Sequence, residues 1–189
     1  MNIKSSYRSE IDGIRAFAVI AVIIHHFNES ILKSGFLGVD IFFVISGYVI
    51  TKSIIKDFSK DKFNFLEFYY KRIKRILPVF LIVLSSTFLF SLYIYLIADL
   101  NRFLESLLSS LGFVSNFYFW ITGGYFSTND QLKPLLHIWS LSVEEQFYLF
   151  FPFFLYLIFK IKKNYNFYLF IVVLIIFISF LLNLFFISK

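Results

Sequence analysis

Asp12-Gly-Ile-Arg15-Ala-Phe-Ala-Val-Ile-Ala-Val-Ile-Ile-His25-His26-Phe27 is an apolar, helix-compatible stretch with a guanidinium near one end and two imidazoles at the other. Burying apolar surface requires neither group. In a membrane-crossing helix each ionisable side chain costs roughly 2.5–3.5 kcal/mol at mid-bilayer on insertion scales, so such residues mark a candidate site. Arg15 and His26 are eleven residues apart. At about 100° and about 1.5 Å per residue they fall within about 20° of one face and about 16 Å apart along the axis. His25 points about 100° away from that face, which makes His26 the candidate of the adjacent pair. The competing reading is interfacial: Arg15 snorkels at the cytoplasmic end and the histidines close the helix at the opposite surface.

Working outward, the composition agrees with a membrane protein. Of 189 residues, 59% are hydrophobic and 29 are phenylalanine, whereas soluble domains run about 45–50% apolar. The expected architecture is all-α, a polytopic transmembrane helix bundle of about six apolar segments with no soluble domain. There is no cysteine, which excludes disulfides, thiolate catalysis and cysteine metal sites, and no metal site is expected. His25, His26 and His137 are the three histidines, so any imidazole chemistry has few candidates. The formal charge of +6 reads as topology rather than nucleic-acid binding, because the basic residues sit at the ends of apolar runs. The first run is followed by His25, His26, Phe27 and Asn28, not by small residues suited to cleavage, so it reads as an uncleaved first span over about Gly13 to Phe27.

After a polar turn from Asn28 to Ser34, the second apolar run carries Asp40, with Gly38 and Gly47 as points of close helix approach. Phe36, Asp40, Phe43 and Gly47 share a face. In an antiparallel hairpin Asp40 is expected at the depth of His26, where a carboxylate fixes an imidazole tautomer. The basic stretch from Lys52 to Arg75 is cytoplasmic by the positive-inside rule, which places the N-terminus in the cytoplasm too. Arg72 and Arg75 lie at i, i+3 at the mouth of the third span, which is expected to reach about Ala98. Planar guanidiniums suit phosphate contacts; anchoring to anionic headgroups is the alternative. The fourth segment, Phe103 to Ile121, holds Glu105, Asn116 and several serines. If it spans, the lysines at 160, 162 and 163 fall outside; if it is re-entrant they fall inside, as the rule prefers. In the fifth, His137, Ser140 and Glu144 share a face at i, i+3, i+7 with Tyr148 beyond. Such a stripe faces protein or a wet cavity and is a candidate for substrate contact. Ser142 lacks a nucleophile elbow. The last run, Asn166 to Ser188, reads as scaffold.

Four pieces in order carry a resemblance: Asp12-Gly-Ile-Arg15 with His26 beyond; Gly35-Phe-Leu-Gly-Val-Asp40-Ile-Phe-Phe-Val-Ile-Ser46-Gly47; Arg72-Ile-Lys-Arg75-Ile-Leu-Pro78; and His137-Ile-Trp-Ser-Leu-Ser-Val-Glu144-Glu145-Gln-Phe-Tyr148. Together they resemble the acyltransferase family 3 membrane proteins, O-acetyltransferase-like enzymes that decorate bacterial surface glycans. Residues 1–189 resemble the N-terminal half of that family's membrane domain. The apolar ending leads to the expectation of a truncated or split frame, inactive alone or completed by a second chain that supplies further helices.

The resemblance implies an integral protein of the bacterial cytoplasmic (inner) membrane. It would move an acyl group, typically acetyl, from cytosolic acyl-CoA to a hydroxyl of a cell-envelope carbohydrate such as lipopolysaccharide. Acetyl-CoA is then the donor substrate and the glycan the acceptor. His26 would serve as general base or transient acyl carrier, Asp40 would orient an imidazole, and Glu144 would orient or act as a second base. Arg72 and Arg75 would hold coenzyme phosphates, with Arg15 at the start of the path; His137, Ser140 and Tyr148 complete the substrate-binding candidates. A transporter or proton relay is the rival class, since intramembrane ionisable residues serve there too. The missing internal repeat argues against it.

Overall fold

The computed structural model describes residues 8–28, 30–60, 62–123, 133–161 and 165–187. Helix α1 covers Ser9–Phe27; a 3-10 turn at Gly35–Leu37 leads into α2, Gly38–Phe58. Then follow α3 (Phe65–Ile94), α4 (Ile97–Leu111), α5 (Ser115–Ile121), α6 (Ile138–Ile161) and α7 (Tyr165–Ile187). No strand occurs among the described residues. Helix satisfies every backbone group within its own segment, which a bilayer demands. Among the described residues three stretches are long and apolar enough to cross a membrane: Gly35–Phe58, Phe65–Ile94 and Ile138–Lys160. The chain is therefore an all-α membrane helix bundle. Two compact units divide it, residues 1–146 and 147–189. In the second, Phe147 stacks on Phe151 with centroids 4.4 Å apart, and α7 exposes apolar side chains over most of its length.

Close backbone approach draws α1 and α2 together. A Cβ placed on Gly38 would stand 2.5 Å from the carbonyl oxygen of Ala18, and one on Gly35 would collide with Ala21 and the His25 side chain. Ala18 and Ala21 are themselves buried, so small residues face small residues, as membrane helices packing without a hydrophobic drive require. Of the two glycines expected to serve here, Gly38 does so. Gly47 has open space around it, and Gly35 takes its place.

The third span ends at Ile94, short of Ala98, where Tyr95 and Leu96 become extended. At the other end Asn64 caps α3, its side-chain oxygen accepting from the Leu66 N–H at 2.9 Å. The 19 residues from Ile76 to Ile94 measure about 28 Å, close to one hydrocarbon thickness, and leave Arg75 at its edge.

The expected fourth segment is two helices. At about 22 Å and about 10 Å, neither α4 nor α5 is long enough to span. Between them Phe113 adopts φ 52°, a left-handed conformation costly for a bulky side chain. It is held there by stacking on Phe80 at 4.9 Å and by its carbonyl, which accepts from Gln146 Nε2 at 2.7 Å. The chain then doubles back: the Tyr118 hydroxyl donates to the Arg102 carbonyl and to Glu105, each at 3.2 Å.

On α4, Leu100, Phe103, Leu104 and Leu107 recur at helical spacing and face a core formed by Phe80, Leu84, Leu135 and Ile138. This core fixes the direction of α6. Its start packs on residues 80–84 of α3, whereas Glu145 lies within electrostatic reach of Arg72, near the start of α3. The first turns of α6 therefore run antiparallel to α3, the direction expected if α4–α5 enters and leaves on one side.

Candidate functional site

Within the first unit, α1, α2, α3 and the start of α6 border a partly open cavity of about 640 Å³. Its walls are mostly Val, Ile and Phe: Val19, Val22 and Ile23 from α1, Val39, Phe42 and Phe43 from α2, Ile76, Val79 and Val83 from α3. Into this apolar lining project four ionisable side chains, His26, Arg75, His137 and Glu144, together with Ser140 and Trp139.

The adjacent histidines part company as the helical angle between them requires. His25 turns to the hairpin, where its Nδ1 lies 3.1 Å from the Leu32 carbonyl oxygen and its ring meets Phe36 edge-on. His26 faces the cavity. On α6, His137, Ser140 and Glu144 line the cavity along one stripe, and Tyr148 lies past them in the second unit, outside the lining residues. His137 stands one residue before the span. Loss of water contact first, and the neighbouring His26 second, hold its pKa below the ordinary histidine value, against the pull of a hydrogen bond to the Pro134 backbone. Proline has no N–H, so the imidazole is the donor and the Pro134 carbonyl the acceptor.

Glu144 lies two turns along α6. Its Oε1 accepts a 2.5 Å hydrogen bond from the Ser46 hydroxyl of α2, and beside it Phe43 meets Trp139 edge-on at 6.3 Å. On the opposite side α6 is clamped to α5. Ser115 and Ser142 hydroxyls are 2.7 Å apart and buried, and Gln146 Nε2 donates to Asn116 Oδ1 at 2.9 Å. Ser142 is thus committed to packing. The clamp fixes the rotation of α6 that turns Glu144 inward. The next residue, Glu145, has a buried Oε1 with no hydrogen-bond partner among the described residues.

The remaining candidates sit elsewhere. Arg75 lines the cavity, but Arg72 does not: its guanidinium lies 3.4 Å over the Phe68 ring and donates to the Phe68 carbonyl at 3.1 Å. Arg15 is 3.7 Å from Asp12 and off the cavity wall. Asp40 is exposed and also off the wall. Gly38 abuts Ala18 and Val22, so Asp40 comes opposite about Ala18, about 12 Å along the axis from His26 rather than level with it. The glycine contact draws α2 about one turn further along α1 than a hairpin symmetric about the Asn28–Ser34 turn. Sequence reasoning does not single out Ser46, Trp139 or Glu145. The doublet of carboxylates in an apolar helix was the available signal for the last. No three metal-ligating side chains cluster among the described residues.

The chain matches the family model of the acyltransferase domain over residues 8–189. It is 42% identical over 149 residues to the O-acetyltransferase OatA of Staphylococcus aureus strain NCTC 8325, covering 77% of this chain and 24% of that protein. To the putative O-acetyltransferase SAS0844 of Staphylococcus aureus strain MSSA476 it is 37% identical over 150 residues, covering 79% and 25%. The chain spans about a quarter of the length of these curated relatives. No solved structure gives a significant match. A match that runs from Arg8 to Lys189 and includes all four cavity helices shows that the chain belongs to the acyltransferase 3 family.

Proposed function

We propose that this chain forms the donor-to-acceptor path of a membrane O-acyltransferase. The group moved is acyl, acetyl in the first instance, from cytosolic acyl-CoA to a hydroxyl of an envelope carbohydrate such as lipopolysaccharide. The observation that carries the reading is the cavity, with imidazoles at one end, Arg75 and Glu144 towards the other, and apolar walls between. Its volume falls in the usual range for small-molecule sites, about 300–1,000 Å³.

Arg75 on α3 offers planar donors for the phosphates of the coenzyme, and the apolar walls suit a pantetheine arm and acyl group. His26 takes the proton of the acceptor hydroxyl as the oxygen bonds to the thioester carbonyl carbon. The C–S bond then breaks, and the proton returns to the departing thiolate. Glu144, held by Ser46, supplies a fixed negative charge in the same cavity. The basic connection between α2 and α3 supports a cytoplasmic N-terminus in the bacterial inner membrane, with Arg75 on the cytosolic side and His26 towards the acceptor.

The test is transfer of labelled acetyl from acetyl-CoA to glycan by membranes carrying the chain. Label is expected in the glycan, and His26→Ala should reduce it by about 10²- to 10⁴-fold. Equal labelling by the variant would remove His26 from the reaction; no labelling by the parent chain would remove the reading itself.

A further inference from the structure

We propose that His137 is a second acid–base residue, forming with His26 a coupled imidazole pair that shares one proton at the acceptor end of the cavity; the catalytic half of this rests on the acyltransferase reading, the pairing does not. Both rings line the same cavity, one from the end of α1 and one from the turn that opens α6. Two segments 111 residues apart in sequence thus border one cavity, and the second is anchored by the packing of Leu135 and Ile138 on Phe80 and Leu84.

The hydrogen bond to the Pro134 carbonyl decides what His137 offers. In a neutral imidazole one nitrogen is a donor and the other an acceptor, so using the N–H on Pro134 leaves a bare lone pair on the second nitrogen. A ring so fixed is ready to receive a hydroxyl proton. Its charged form is opposed by poor solvation and by the neighbouring His26. A proton taken up there therefore passes readily to the second imidazole or to a departing thiolate. In the reaction, the acceptor O–H proton goes to the imidazole pair, the oxygen bonds to the acyl carbon, the C–S bond breaks, and the pair returns that proton to sulfur. No oxidant or further reactant is needed.

The ionisable groups around the pair are few. His25 on α1 has its ring centroid 5.6 Å from that of His26 and is engaged with the Leu32 carbonyl. Asp40 on α2 is exposed and off the wall, Arg75 on α3 and Glu144 on α6 lie further along the cavity, and Lys133 precedes Pro134 in the turn.

Three histidines in the chain make a direct experiment practicable. The full chain, labelled with ¹³C at histidine Cε1 and held in nanodiscs, should give three imidazole resonances, assigned by His25→Gln, His26→Gln and His137→Gln. The His26→Gln variant should raise the titration midpoint of His137, because the neighbouring imidazole that opposes its charged form is gone. His25→Gln, at a ring that faces the hairpin, should leave that midpoint where it was and serves as control for the fold. An unmoved His137 in His26→Gln, or an equal shift in both variants, overturns the pairing. The catalytic half is read separately: His137→Gln should lower acetyl transfer about 10²-fold or more and move the acidic limb of its pH profile. Full retention of rate and profile would overturn it. Absence of transfer by the parent chain would count against the function reading and leave the titration result to decide the pairing.

Discussion

Two guanidiniums three residues apart on α3 illustrate how little residue type says without surroundings. Arg72 is stacked on Phe68 and bonded to its carbonyl, whereas Arg75 faces the cavity. Only the second presents its donors directly to a ligand there. Arg75→Ala should raise KM for acetyl-CoA by about tenfold or more, the loss of one charge-assisted hydrogen bond, with kcat changed far less. Arg72→Lys gives up a planar stack and should instead lower stability by about 1 kcal/mol. Steady-state kinetics and thermal unfolding in detergent separate the two; equal KM effects would show that both arginines bind the donor. The division between His25 and His26 was legible in sequence, because one residue turns a helix about 100°. The difference between the arginines was not. It depends on Phe68 and on which side of α3 the cavity opens, and neither is written in the i, i+3 spacing.

At the scale of elements, the α1–α2 contact rests on missing side chains. Adding one methyl at Gly38 puts a Cβ 2.5 Å from the Ala18 carbonyl oxygen, and backbone cannot step aside as a flexible side chain can. Gly38→Ala should therefore cost about 1–3 kcal/mol, the range for overpacking. Gly47→Ala meets nothing within 4 Å and should be neutral or stabilise α2 by about 0.5–1 kcal/mol, the gain of replacing a helical glycine. Thermal unfolding of the two variants side by side checks this, and a destabilised Gly47→Ala would contradict the packing described. The apolar runs, their order and the stripe of His137, Ser140 and Glu144 could be read from periodicity. The register of α2 on α1 could not, because it is set by Gly35 against Ala21 and His25, a contact between backbones that leaves no hydrophobic pattern. Asp40 consequently falls about one turn beyond the level that a symmetric hairpin assigns it, and about two turns from His26.

For the whole molecule the arrangement of α4 and α5 decides which end of α6 faces which compartment. If they enter and leave on one side, a cysteine at Leu96 and one at Thr122 should react with an impermeant maleimide from the same face, and one at Lys60 from the other. The chain has no cysteine of its own, so labelling has no background. Opposite labelling of Leu96 and Thr122 would mean that the segment crosses. Sequence alone left this choice to the lysines at 160, 162 and 163, the last two of which lie outside the described residues; the direction of α6 against α3 supplies it from packing. The loop beyond Thr122 that would report sidedness is likewise outside them at 124–132.

The clamp between α5 and α6 also has a bearing on how the protein is made. Ser142 and Gln146 find their partners in Ser115, Asn116 and Phe113, all of which leave the ribosome earlier. When α6 emerges, the groups that match its polar edge are therefore already synthesised. It can enter lipid beside a docking surface, without carrying bare amide and hydroxyl groups that would cost several kcal/mol each. The side of the clamp that precedes α6 in the chain is thus complete before the helix it holds.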